Sequence, residues 1–127
     1  MAHKKYLTKE DKNKALALNN SRYWKTRKGK LMMTYNNMNR RVRGYIKKHL
    51  YEGLELLSRE DFYRFSLCGE DYHKLYEDWV GSDYDRKLSP SIDRIDSSKG
   101  YTLDNIQWIT HSENSRKGSL NRHKMDL

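Results

Sequence analysis

Asp93 and Asn114 are the pair of side chains whose types and spacing could do chemistry together. Asp93 lies in Ser91-Ile92-Asp93-Arg94-Ile95-Asp96, which alternates apolar and polar residues as a half-buried strand does. Asn114 lies just past Thr110 and Glu113, whose spacing of three is that of a capping box, so it falls in the first turn of a helix. Ile92 and Ile95 cannot both enter the core from one regular strand, so a kink is expected near Asp93, turning it toward that helix start. A carboxylate from a strand and an amide oxygen from a helix suit a hard divalent ion such as Mg²⁺, or Mn²⁺ in its place. Positions left open on the ion would take phosphate oxygens and water. The positive end of the helix adds attraction for phosphate.

Positioning these groups takes four elements in order. Pro90, the only proline, favours extended backbone at Ser89 and leads into a strand. Ser97-Ser98-Lys99-Gly100 is a turn-rich break, and Tyr101–Asn105 returns the chain. Ile106-Gln107-Trp108-Ile109 alternates again, and Thr110 opens the helix. The order is strand, loop, strand, helix, with Trp108 packing the hairpin on a helix.

Upstream, helical periodicity dominates. Thr8 can cap a short helix with Ala15, Leu16 and Leu18 as a weak apolar face, whereas Lys25–Lys30 reads as a basic loop. Leu31, Tyr35, Met38 and Val42 predict a helix over about 30–43, stopped by Gly44. Residues 49–57 read as a loop or short extended piece. Ser58 with Asp61 predicts a helix over about 59–67 that buries Phe62, Phe65 and Leu67. Tyr72, Leu75, Tyr76 and Trp79 predict another over about 70–80, ended by Gly81.

Composition sets the outer limits. The 127 residues carry a net charge of +9, which suits a polyanionic partner. Basic residues gather at Lys25–Lys30, Arg40–Lys48 and Arg116–Lys124, while ten of the seventeen acids fall between Glu52 and Asp85. Basic ends around a mixed middle are the pattern of a nucleic-acid binder. The lone Cys68 excludes a disulfide within the chain and a structural zinc on paired cysteines. No long apolar run suggests a membrane span or signal peptide, so a cytoplasmic protein without a membrane partner is expected.

Leu88–Asp96, then Lys99-Gly-Tyr-Thr-Leu-Asp-Asn-Ile-Gln-Trp, then Glu113-Asn-Ser-Arg-Lys resembles the HNH endonucleases of phages, often free-standing homing-type enzymes. The resemblance covers residues 84–118. It implies an α+β chain: a mostly helical N-terminal part, then a ββα-metal motif with a two-stranded antiparallel hairpin. It divides the chain into a basic arm (1–30), a helical DNA-contacting region (31–83), the motif (84–120) and a basic tail (121–127). It implies Asp93 and Asn114 as metal ligands and Asn105 as a brace for the loop between the strands. The implied activity is metal-dependent hydrolysis of DNA phosphodiester bonds, as a monomer or homodimer on double-stranded DNA. Arg40, Arg41, Arg43, Arg116 and Lys117 are the expected phosphate contacts; these give affinity and position, not sequence choice.

One departure stands out. The family's usual general-base histidine follows the strand Asp, and here that residue is Arg94, which stays protonated. Three outcomes remain open. His111, which opens the same helix, could serve as base. Bulk solvent could do so, giving a slow enzyme. Or Arg94 could clamp the phosphate or stabilise its developing charge. The alternative function is a non-catalytic DNA-binding or host-takeover protein on a degenerate scaffold of this kind.

Overall fold

A computed structural model describes residues 8–45 and 48–126. The first seven residues of the arm, and the side chains of the tail 121–127, lie outside the described residues. The fold is α+β, with helices preceding a two-stranded antiparallel hairpin and one helix after it. The chain divides into two compact units, Met1–Met33 and Thr34–Leu127. Both the helical stretch 34–83 and the segment 84–120 belong to the second.

In the first unit, α1 runs Lys9–Trp24, longer than its weak apolar face suggests. Thr8 starts it, its hydroxyl accepting from the Asp11 amide at 3.1 Å. The basic stretch after it is not a loop, because α2 (Arg27–Val42) begins within it. Thr26 is the reason. Its hydroxyl donates to the Tyr23 carbonyl at 2.6 Å and accepts from the Gly29 amide at 3.0 Å, closing one helix and opening the next.

In the second unit, α2 ends where the sequence stops it. Gly44 adopts φ +82°, its amide bonds to the Arg41 carbonyl, and the Tyr45 amide reaches back to Arg40. That double bond pattern requires a left-handed residue at Gly44. A short helical turn, α3 (Lys48–Tyr51), occupies the start of the stretch expected to be loop. Helix α4 (Arg59–Cys68) starts at Ser58, whose hydroxyl accepts from the Asp61 amide, and α5 spans Asp71–Gly81.

The hairpin pairs β1 (Pro90–Arg94) with β2 (Ile106–Thr110), with Ile92 opposite Trp108 and Asp93 opposite Gln107. Neighbouring strand residues face opposite sides. Ile92 and Trp108 therefore share one face and meet the aromatic core. Trp108 lies 4.5 Å from the Tyr72 ring and 5.8 Å from the Phe62 ring, centroid to centroid. Its indole N–H donates to the buried Ser66 hydroxyl at 3.0 Å, so burying the ring leaves no polar atom stranded. Fully burying an aromatic of this kind stabilises the fold by about 2–3 kcal/mol. Asp93 and Gln107 share the other face, which α6 (His111–Asp126) covers.

Two apolar expectations fail. Leu67 is exposed, because Phe62 and Ser66 already define the inward stripe of α4. Ile95 is 52 % exposed, since β1 ends at Arg94 and the chain turns away. With Ile95 outside the core, Asp93 reaches α6 by plain strand alternation and needs no kink. Among the described residues, no helix is long and apolar enough to cross a membrane.

Candidate functional site

Thr110 ends β2 and caps α6. Its hydroxyl accepts from the Glu113 amide at 3.2 Å and donates to the Glu113 carboxylate at 3.0 Å. This fixes where the helix starts and so which strand residue each turn meets. Asn114 donates through Nδ2 to the Ser91 hydroxyl at 2.7 Å and to the Ile92 carbonyl at 3.2 Å. One turn on, the Lys117 ammonium donates to Asp93 Oδ2 at 2.8 Å, to the Arg94 carbonyl at 2.8 Å and to the Ile95 carbonyl at 3.1 Å. Helix α6 thus runs alongside β1, and Asp93 and Asn114 come to the same strand–helix junction.

Asp93 is buried, with 5 % of its surface exposed. Gln107, its cross-strand partner, also donates to Oδ2, at 2.9 Å. A buried carboxylate is costly unless paired and hydrogen-bonded, and Lys117 and Gln107 together meet that condition. All three ammonium protons of Lys117 have an oxygen, so this side chain is turned inward and is not an outlying phosphate contact. The sequence expectation for Lys117 missed this because a flexible lysine stem gives no sign of which way it turns. Gln107 was not singled out either; the signal available was its place in the alternation opposite Asp93.

Asp93 Oδ1 and Asn114 Oδ1 accept no hydrogen bond among the described residues. Each keeps lone pairs for a cation. These are the oxygens that could hold a divalent ion, and one carboxylate with one amide leaves most of the shell to water and phosphate, as Mg²⁺ prefers. Among the described residues, no three His, Cys, Asp or Glu side chains gather as a denser metal site.

Asn105 is buried and ties the loop between the strands together. Its Oδ1 accepts from the Asp96 amide at 2.8 Å, and its Nδ2 donates to the Asp96 carbonyl at 3.1 Å and the Gly100 carbonyl at 2.8 Å. The loop also carries Tyr101 into a parallel bridge with Leu56, the Tyr101 amide bonding to the Glu55 carbonyl at 2.8 Å. Gly100 permits this approach: a Cβ there would stand 2.5 Å from both the amide nitrogen and the carbonyl oxygen of Glu55. Asp96 is exposed, and its carboxyl is held below its ordinary value, chiefly by the Ser98 hydroxyl and then the Ser98 amide.

Arg94 follows Asp93 in the same strand and so points to the opposite side of the hairpin, away from the face that α6 covers. One guanidinium nitrogen, Nη1, donates to the Ser97 carbonyl at 2.7 Å and the Lys99 carbonyl at 3.0 Å. Its guanidinium lies 4.3 Å from the Tyr51 ring centroid. His111 is not beside Asp93 either. Its amide bonds to the Ser89 carbonyl at the far end of the hairpin. Four residue steps separate Ser89 from Asp93, about 13 Å along the strand. Of the other basic residues, Arg40 and Arg116 are exposed, Arg43 is exposed and bonded to Asn39, and Arg41 is half-buried against Tyr51 and Tyr101. Sequence comparison adds nothing to this geometry: no family model, curated protein or solved structure matches the chain.

Proposed function

We propose that this protein is a metal-dependent endonuclease that hydrolyses DNA phosphodiester bonds. The observation that carries the reading is the β1–α6 junction, where Asp93 and Asn114 each keep an oxygen without a hydrogen-bond partner among the described residues. Asp93 Oδ1 and Asn114 Oδ1 would hold a divalent ion, Mg²⁺ or Mn²⁺ in its place, whose chemistry there is to polarise a phosphate and neutralise charge on the leaving oxygen. The protein's own contribution is positional. Lys117 and Gln107 fix Asp93 through Oδ2, Ser91 and the Ile92 carbonyl fix Asn114, and Asn105 holds the adjoining loop.

In the hydrolysis, a water oxygen bonds to phosphorus, the bond from phosphorus to the leaving sugar oxygen breaks, and that oxygen takes up a proton. No side-chain base is assigned. Arg94 stays charged and faces the other side of the hairpin, and His111 stands at its far end. Solvent therefore takes the attacking water's proton, and the enzyme is slow. The net charge of +9 and the exposed Arg40 and Arg116 support double-stranded DNA as the partner, with phosphate contacts that weaken as salt rises.

A second reading is a DNA-binding protein without catalysis. The Lys117 ammonium favours it, since a cation already sits on Asp93 with all its protons satisfied. Supercoiled plasmid incubated with Mg²⁺ or Mn²⁺ separates the two. The enzyme converts it to open circles, chelator stops conversion, and Asp93→Ala and Asn114→Ala abolish it. Plasmid binding with no conversion under either metal supports the second reading.

A further inference from the structure

Two guanidinium groups converge on one tyrosine ring, and among the described residues no carboxylate forms an ion pair with either. The Arg94 guanidinium carbon lies 4.3 Å from the Tyr51 centroid and that of Arg41 lies 5.5 Å from it. Tyr101 stacks parallel to Tyr51 at 6.2 Å. It lies 5.7 Å from the Arg94 guanidinium carbon, and Arg41 donates to its hydroxyl at 3.4 Å. The nearby acid, Asp96, is turned to Ser98 and forms no ion pair with Arg94. Arg41 Nε is buried and has no hydrogen-bond partner among the described residues.

Aromatic faces attract each cation, but they do not offset repulsion between the two, and they satisfy no N–H. A buried guanidinium donor without an acceptor is costly to keep. What the cluster lacks is an oxyanion. Arg94 is also pre-oriented for one: the Ser97 and Lys99 carbonyls hold Nη1, fixing the plane of the fork.

We propose that Arg41 and Arg94 together bind one phosphodiester group beside the Tyr51 ring. This site is separate from Asp93 and Asn114, because Arg94 and Asp93 lie on opposite sides of the hairpin. Its natural ligand is a backbone phosphate of the nucleic acid, and that identity rests on the proposed partner; the anion site itself does not. A strand crossing the end of β1 would leave one phosphate here and another at the α6 side. Such binding uses what arginine brings to position 94, a permanent charge and a planar fork of donors.

The test is a titration of the full chain with dimethyl phosphate in the presence of chelator, following the arginine Nε–H resonances by NMR. The signals of Arg41 and Arg94 are expected to shift along one saturation curve. Arg41→Gln should weaken the response of Arg94 about tenfold or more, the loss of a charge-assisted bond. Arg41→Lys keeps the charge but not the planar fork, and a smaller weakening of the Arg94 response is expected there should the glutamine variant not fold. The proposal is overturned if neither signal moves in the wild-type chain, or if Arg94 responds with an unchanged midpoint when Arg41 is replaced. No metal or cleavage enters this readout, so an inactive nuclease leaves it standing, and an active one does not rescue it.

Discussion

The Lys117 ammonium lies 2.8 Å from Asp93 Oδ2 and bridges from that carboxylate to the two carbonyls at the end of β1. One contact fastens α6 to the strand and neutralises the buried acid. It uses a single carboxylate oxygen, so the other stays available at the junction with Asn114.

Removing either partner should therefore cost more than removing both. Lys117→Met leaves a buried carboxylate with Gln107 alone and is expected to destabilise the chain by about 2–3 kcal/mol. Adding Asp93→Asn to that variant should recover part of the loss. Chemical denaturation of the wild type, both single variants and the double variant measures the coupling. Additive losses would mean that the pair does not hold the helix to the strand.

Loop integrity should depend on Asn105 and Gly100 in different ways. Asn105→Ala strips three hydrogen bonds from a buried position and is expected to cost about 2–4 kcal/mol. Gly100→Ala forces a Cβ onto the Glu55 backbone and should cost about 1–3 kcal/mol. Gly118, within α6, has open space around it. Gly118→Ala should instead stabilise by up to about 1 kcal/mol, from helix propensity alone. Thermal unfolding of the three variants checks the order, and equal effects at Gly100 and Gly118 would contradict the close approach.

Acid should release the Asp96 contacts in this loop only when that carboxyl is protonated. The Asp96 carboxyl sits below its ordinary value of 3.8, mainly through the Ser98 hydroxyl. A depressed carboxylate adds stability that is present above the unfolded value and lost as pH falls through the folded one. The Asp96–Ser98 contacts should therefore persist to below pH 3.8 and release only under stronger acid. Carbon-detected NMR of the Asp96 carboxyl follows this, and Ser98→Ala should move its titration upward. An unchanged midpoint in that variant would remove Ser98 as the cause.

Much of this was legible in the chain because its signals are local. Thr8, Ser58 and Thr110 mark helix starts by cap chemistry within four residues, and Gly44 marks a stop by its left-handed backbone. Thr26 is the same kind of signal, masked by the lysines around it. Asp93 and Asn114 stood out by type and spacing, and Asn105 through the family resemblance. The side toward which Arg94 points did not, because it depends on where β1 starts and on what covers each face. Lys117 was invisible for a related reason: its inward turn exists only once α6 lies alongside β1. The grouping of Arg41, Tyr51, Arg94 and Tyr101 joins residues up to 60 positions apart, and no local pattern encodes it.

A single divalent ion shared by Asp93 and Asn114 is the centre of the proposed nuclease, and substoichiometric Mn²⁺ reports on it directly. Paramagnetic broadening in the NMR spectrum should fall first on the Asn114 side-chain amide and the Asp93 backbone amide, and should disappear in Asp93→Ala. Broadening centred elsewhere, or left intact in that variant, would contradict the metal centre proposed here.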